Sequence, residues 1–324
     1  MPNKVLTVSV AAYNVEKYLS EALESCLVSN MSSLEVIVVN DGSSDNTLEV
    51  AQRYASLFPD SIKVIDKQNG GYGSTINASL EVASGKYFRY LDGDDCFDTD
   101  ALKLYLDLLE GSNEDAVYTP FIRFYESGEP SDFDDELVEY QEGVYSPSAF
   151  GYSVHIGACS LAFKTDLLRK AHFSMTGNCF YTDVEYACLP FLHVQSILVS
   201  KIPLYRYRIG RAGQSVSIEG IEKHCTDLVR VCSRLFKSVN RDVLATNQYY
   251  RNYLIQECGT AYAFLTMVPP SAERKACLRQ FDRLLRNDAS IYSAVGKRCN
   301  RARFLRMTAF TTYAPICRYF MRRL

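Results

Sequence analysis

The segment KYFRYLDGDDC, residues 86–96, closes an aromatic, β-prone run with three carboxylates, Asp92, Asp94 and Asp95. Carboxylates this close repel one another and favour a turn, which raises the question of what they hold. In extended backbone, residues i and i+2 face the same way. Asp92 and Asp94 can therefore converge on one object while Gly93 lets the chain bend close to it. Hard oxygen donors on a short loop suit Mg2+ or Mn2+, which keep several waters and take one or two protein carboxylates together with phosphate oxygens. A diphosphate would complete that shell.

A scaffold must present such a turn, and the first hundred residues read as one. VLTVSVAAY (5–13) predicts a buried strand and VEKYLSEALESCLVS (15–29) an amphipathic helix. LEVIVVN (34–40) is a second strand, followed by DGSSDNT, where Ser44 or Asp45 can cap a helix running to about Leu57. SIKVIDK (61–67) is a third strand, GSTINASLEVAS (73–84) a helix closed by Gly85, and KYFRYLD (86–92) a fourth strand. This order predicts an α/β fold with a doubly wound, mostly parallel sheet, because parallel strands need crossovers. Ligands in such sheets bind outside the carboxyl ends of the strands. Polar residues recur at each of those ends: Tyr13-Asn14, Asp41-Gly42-Ser43, Asn69-Gly70-Gly71 and Asp92 to Asp95. Recurrence at every strand end points to a site, where one acidic turn alone would not.

Downstream, a helix (98–110) and a strand, DAVYTPFIRFYE, lead into an acidic surface excursion (126–143). SLAFKTDLLRKA (160–171) pairs a strand with a helix, YTDVEYACLPFLHVQ (181–195) is a helix that Pro190 shortens, and SILVSKIPLYRYRI (196–209) gives one or two strands. From about Ile218 the chain reads as helical, broken at Pro269-Pro270. The expected organisation is an α/β domain over 1–217 in two halves (1–100 and 101–217), and a helical C-terminal region over 218–324.

With 324 residues, 47% hydrophobic and 23% charged, the chain can bury one large core or two smaller ones. The start, MPNKVLTVSVAAYN, lacks the features of a secretion signal, and no run of about 18 apolar residues occurs, so a cytoplasmic protein is expected. Eleven scattered cysteines with no C-x-x-C pair read as reduced thiols rather than a zinc site. Charge is uneven. Residues 223–324 hold 19 Lys/Arg against 6 Asp/Glu, whereas residues 1–222 hold 16 against 32. The end, 296–324, has eight basic residues and no acidic one, interspersed with Phe304, Leu305, Met307, Phe310, Tyr319, Phe320 and Met321. That composition suits a helix lying on an anionic membrane face, with the protein peripheral on the inner membrane, and equally a packing or homodimer contact between C-terminal helices. Nucleic acid is not an expected partner.

The order VSVAAYNVEKYL, VIVVNDGSSDNT and NGGYGSTINASLEVASGKYFRYLDGDD resembles family 2 glycosyltransferases, strongly over about residues 5–100 and more loosely over 155–217. The resemblance implies the GT-A fold and inverting transfer of a hexosyl or N-acetylhexosaminyl group from a nucleotide-sugar, expected to be a UDP-sugar. The acceptor it implies is a glycan or lipid-linked glycan in cell-surface polysaccharide synthesis. Asp92-Gly93-Asp94 then matches the D-x-D motif, with Asp92 on the ribose side and Asp94 on the Mg2+ or Mn2+ that bridges the diphosphate. Asp41 matches the carboxylate that reads the uracil N–H, Tyr13 and Glu16 match positions lining the nucleobase pocket, and Ala11, Asn69, Gly73 and Asn77 fall on the same donor site. Elementary chemistry suits these roles: a carboxylate accepts from an imide N–H, an aromatic ring stacks on a base, and a divalent cation neutralises a leaving diphosphate.

The sequence departs from the family at Ala11, where Pro is frequent, and at Ile76, where an Arg commonly precedes the position of Asn77. Lys67, Arg123 or Arg211 are the candidates to replace that guanidinium. Inversion in one displacement needs a general base on the acceptor hydroxyl. The family supplies it from an acidic pair at a helix start, here Thr182-Asp183 in FYTDVEYACLPF, so Asp183 is the candidate and Glu185 the runner-up. PLYRYRIGRAGQSVS (203–217) resembles the family's closing loop, with Arg208, Arg211 and Ser215 able to cover the diphosphate and exclude water. His193 reads as a core histidine, and His155 as that or a lining of the acceptor pocket. Two other classes compete. A nucleotidyltransferase also uses paired carboxylates on Mg2+, but wants a Gly-rich basic loop after the first strand, which AAYNVEKYL lacks. A non-catalytic nucleotide-sugar binding protein would keep Asp41 and Asp94 without needing Asp183.

Overall fold

Runs such as LTVSVAA and LEVIVVN are buried at nearly every position and need cover on both faces of the sheet they form. The computed structural model describes residues 4–127, 131–210 and 217–323, and shows that cover. The chain forms two units, one from residues 1–150, 154–179 and 193–211, the other from 151–153, 180–192 and 212–324.

In the first unit the strands are β1 (Leu6–Ala12), β2 (Leu34–Asn40), β3 (Ile62–Asp66), β4 (Tyr87–Asp92), β5 (Cys96–Phe97), β6 (Ala116–Tyr118), β7 (Phe121–Tyr125), β8 (Asp132–Asp134), β9 (Gly143–Tyr145), β10 (Leu161–Lys164), β11 (Ile197–Val199) and β12 (Tyr205–Ile209). An eight-stranded sheet runs β3-β2-β1-β4-β10-β6-β11-β9, and a four-stranded sheet runs β5-β12-β7-β8. β1 pairs in parallel with β2 and β4, β2 with β3, and β6 with β11, while β10 lies antiparallel between β4 and β6. The carboxyl ends of β1, β2, β3, β4, β6 and β11 therefore share one rim. The helices are α1 (Leu19–Glu24), α2 (Thr47–Leu57), α3 (Tyr72–Val82), α4 (Thr99–Gly111) and α5 (Thr165–Lys170). β4 carries a fully buried charge: Arg89 donates to Thr119 Oγ1 at 3.0 Å and to the Cys159 carbonyl, with its guanidinium near the Phe97 and Tyr105 rings.

Three local expectations change. The helix expected over 15–29 contracts to α1, because Asn14 takes a left-handed φ of 51° and Ser25 is drawn into tertiary bonds with Phe97 N–H and the Thr99 hydroxyl. Gly85 is not a left-handed cap of α3. A Cβ there would meet Thr7 N at 2.4 Å, so the residue is glycine because two backbones touch. DAVYTPFIRFYE becomes β6 and β7 in different sheets, divided by Thr119-Pro120, since proline has no N–H for a ladder.

The second unit is helical: α6 (Asp183–Cys188), a 3-10 turn at Leu189–Leu192 that begins where Pro190 ends the α-helical run, α7 (Ile218–Lys237), α8 (Arg241–Thr246), α9 (Gln248–Met267), α10 (Ala272–Leu285), α11 (Ala289–Arg298), α12 (Asn300–Met307) and α13 (Tyr313–Met321). α9 is buried over most of its surface and packs against α7, α11 and α13. Asp282, 1% exposed, accepts from Arg306 Nε at 2.6 Å and Tyr262 Oη at 2.6 Å, an internal ion pair that ties α10 to α12 and α9.

Candidate active site

The acidic turn is built from both sheets of the first unit. Gly93 N–H donates to the Ala11 carbonyl at 2.9 Å, and a Cβ on Gly93 would lie 2.8 Å from that oxygen. Glycine is needed here for contact with β1. Asp95 turns inward, 2% exposed, and accepts from Tyr205 Oη at 2.6 Å and Arg208 N–H at 2.7 Å. Burial, and then the charges of Asp92 and Asp94, hold the Asp95 carboxyl well above the usual carboxylate range. The Arg208 guanidinium donates to the Asp94 carbonyl at 2.8 Å and pairs with Glu21 at 2.5 Å, lying over the Phe124 and Tyr18 rings. β12 and α1 thus brace the turn from beneath, and the Asp92 and Asp94 side chains stay half-exposed at the rim.

The neighbouring loops are cross-linked. After β1, Asn14 N–H donates to Ser43 Oγ at 3.0 Å, Val15 N–H to Thr47 Oγ1 at 2.9 Å and Glu16 N–H to Asp45 at 3.1 Å. After β2, Asp41, 3% exposed, accepts from Gly70 N–H at 3.0 Å, Gly71 N–H at 2.9 Å and Lys67 Nζ at 2.6 Å. Ser74 Oγ adds a longer bond to Oδ1 at 3.4 Å, so both oxygens hold the loop that follows β3, Oδ1 with three donors and Oδ2 with one, and room for a further donor is left at Oδ2. Tyr13 stands 52% exposed above this floor.

This arrangement has relatives. Residues 7–166 match the model of glycosyl transferase family 2. Those 160 of the 324 residues are of the glycosyl transferase family 2 type. The minor teichoic acid biosynthesis protein GgaB of Bacillus subtilis is 28% identical over 218 residues, which is 66% of this chain and 24% of GgaB. The chain thus spans about a quarter of that relative. Among solved structures, S. aureus TarS 1–349 in complex with UDP-GlcNAc superposes with a TM-score of 0.73 at 17% identity, over 98% of this chain and 92% of that one. The mannosyltransferase PcManGT from Pyrobaculum calidifontis, in complex with GDP-Man and Mn2+, gives 0.52 at 16% identity, over 98% and 84%. The fold is GT-A, as the motifs implied.

Several residues expected on the glycosyltransferase's donor site prove to be occupied by the chain itself. Asn77 donates to the Met175 carbonyl at 2.8 Å and accepts from Met175 N–H at 2.7 Å, so both ends of its amide clamp that segment. Gly73 faces the same segment, where a Cβ would meet the Thr176 carbonyl at 2.5 Å. Glu16 accepts from Asn46 N–H at 2.9 Å and Asn46 Nδ2 at 2.8 Å, tying the first loop to the start of α2. Ala11 gives its carbonyl to Gly93, and Asn69 is exposed on its loop. Of the three replacements for the missing arginine, Lys67 is held by Asp41 and Ser74, Arg123 by Asp134 at 2.6 Å, and Arg211 lies outside the described residues, as does Ser215. Arg208 does not cover a diphosphate: it is 8% exposed beneath the turn. His155 is half-buried and His193 exposed. Sequence reasoning missed Tyr205, Glu21 and the bracing role of Arg208, for which the one signal was a charged residue inside the β-prone run YRYRI.

In the second unit, Asp183 is exposed at the first position of α6. Thr182 occupies the N-cap without a side-chain cap bond. Glu185 turns inward, 0% exposed, and pairs with Arg234 at 2.7 Å, which removes the runner-up base from solvent. Beside them Phe180, 43% exposed, stacks on His224 with ring centroids 3.5 Å apart, and its N–H donates to Asp227 at 3.2 Å.

At the opposite, amino-end rim of the large sheet the charges close on themselves. Glu35, 1% exposed, accepts from Thr7 Oγ1 at 2.6 Å, Lys63 Nζ at 2.7 Å and Ser84 N–H at 2.7 Å. Burial pushes its carboxyl up, and these hydrogen bonds outweigh it, leaving the group below its ordinary value. A cleft of about 620 Å³ opens there, lined by Lys86, Lys164, Arg169 and His193 among others. Two of its cations serve as helix caps: Lys86 bonds carbonyls at the end of α4, and Arg169 bonds Leu80 and Ala83 carbonyls at the end of α3.

Proposed function

We propose that this glycosyltransferase moves a hexosyl or N-acetylhexosaminyl group from a UDP-sugar, with inversion, onto a hydroxyl of a glycan or lipid-linked glycan in cell-surface polysaccharide synthesis. The observation that carries this reading is the braced acidic turn, which leaves Asp92 and Asp94 at the rim and commits Asp95 to Tyr205 and Arg208. The kinship with GgaB and the fold shared with TarS support it.

The donor set fits Mg2+ or Mn2+. Among the described residues no three His, Cys, Asp or Glu side chains gather into a metal cage. What the rim offers is hard carboxylate oxygen from Asp94 and Asp92, which suits a cation that takes its remaining oxygens from water and a diphosphate. Such a cation, held by Asp94, would neutralise the charge that builds on the leaving diphosphate. Asp92 takes the ribose side, Asp41 the uracil N–H, and Tyr13 stacks on the base. Asp183 accepts the proton of the attacking acceptor hydroxyl as its oxygen bonds to the anomeric carbon, and UDP leaves with the electron pair. In this reading the enzyme works from the cytoplasm on an acceptor presented at the inner membrane face. Among the described residues no helix is long and apolar enough to cross a membrane.

Thermal shift with a panel of UDP-sugars and Mn2+ should identify the donor, since a ligand of the native state raises apparent stability. Asp183→Asn should then lose turnover while keeping Mn2+-dependent UDP affinity. Unchanged turnover removes Asp183 as the base. Metal-dependent UDP binding without turnover by the wild type favours a binding protein, and pyrophosphate release from a nucleoside triphosphate favours a nucleotidyltransferase.

A further inference from the structure

The basic end of the chain sorts its charges by direction. Of the eight basic residues in 296–324, two are used internally. Arg306 pairs with Asp282, and Arg301 donates to the Ala263 carbonyl at 2.9 Å and Thr266 Oγ1 at 3.0 Å. The other six, Lys297, Arg298, Arg303, Arg318, Arg322 and Arg323, are exposed. The apolar residues sort as well. Ala302, Leu305, Phe310, Tyr313 and Cys317 are buried, while Phe304 is 49%, Met307 78%, Tyr319 50% and Met321 38% exposed. No acidic residue occurs in the sequence after Asp288.

We infer that the exposed surface of α12 and α13 is a docking face for an anionic lipid bilayer, with Phe304, Met307, Tyr319 and Met321 entering the headgroup boundary among lipid phosphates bound by the four outward cations of these helices and the chain that follows them, Arg303, Arg318, Arg322 and Arg323. Large apolar side chains in water are disfavoured unless they find an apolar phase, and basic residues beside them select a surface of negative potential. A second copy of the chain is a poorer occupant. A two-fold contact would set this face against itself and bring like charges together. A soluble polyanion would use the cations and leave the four apolar side chains in water.

Flotation of the full chain with phosphatidylcholine vesicles, with and without phosphatidylglycerol, tests the inference independently of sugar transfer. Binding should require phosphatidylglycerol and weaken with salt. Arg318→Glu, Arg322→Glu and Arg323→Glu together should lower it on the order of a hundredfold. Phe304→Ser with Met307→Ser and Tyr319→Ser should lower it about tenfold or more. All six sites are exposed, so both variants should keep the wild-type melting transition and turnover on a soluble acceptor. Unchanged binding in the arginine variant overturns the proposal. Loss in that variant with full binding in the apolar one overturns it in favour of a polyanion site. A dimer seen by sedimentation and dissolved by either set of changes assigns the face to self-association.

Discussion

The two rims of the large sheet carry similar residue types and use them differently. At the amino end, Glu35 has three partners in Thr7, Lys63 and Ser84, and Lys86 and Arg169 are consumed by helix carbonyls. At the carboxyl end Asp41, Asp95, Glu16 and Asn77 are likewise held by bonds within the chain, and Asp92 and Asp94 differ in standing half-exposed at the rim. One rim is a closed set of bonds. The other is a braced frame around two half-exposed carboxylates, which a ligand in solvent can reach.

Four substitutions sharpen that contrast. Asp94→Asn should have the largest effect on function, lowering turnover roughly a hundredfold or more and abolishing the metal dependence of UDP binding. Stability should move by no more than about 0.5 kcal/mol, and a larger loss in a melting experiment would make Asp94 part of the frame. Arg208→Ala should cost about 2–3 kcal/mol, because it strips charged hydrogen bonds from Glu21 and the Asp94 carbonyl, and it should lower turnover as well. Full activity in a stably folded variant would show that the turn needs no brace. Glu35→Gln should cost about 1–2 kcal/mol and leave kcat untouched. Because the folded Glu35 carboxyl lies below its ordinary value, its stabilisation is complete above about pH 4.3 and fades as pH falls through the lower folded pKa. Acid unfolding of the wild type should show this limb, and the Gln variant should lack it. Lys86→Met, at the end of α4, should have the smallest effect, about 0.5–1 kcal/mol in chemical denaturation and none on UDP affinity.

The sequence made β1 to β4 legible nearly to the residue, because their apolar runs and the turn residues between them are local signals. It also placed the acidic turn at the carboxyl ends of the strands, since strand order alone decides which ends those are. It could not read partners. Arg208 looked like a covering residue because its bonds to the Asp94 carbonyl and Glu21 span 114 and 187 positions, and no periodicity encodes such pairs. The bond of the Asn77 amide to Met175, 98 positions away, was illegible for the same reason. Glu185 and Asp183 sit two apart in one short helix, and only the third dimension sends one inward to Arg234 and the other to solvent.

The hydrogen bond from Tyr205 to Asp95 also orders events during synthesis. A ribosome that has released residues 1–100 has delivered every strand from β1 to β4 and all three aspartates, yet the turn still lacks its brace. The missing strand is about 110 residues further on. At roughly 5–20 residues per second it emerges some 5–20 seconds later. Until then the carboxylates repel one another without Tyr205 and Arg208, and a nascent chain cut short before Tyr205 should present the scaffold of a transferase with its acidic corner unmade.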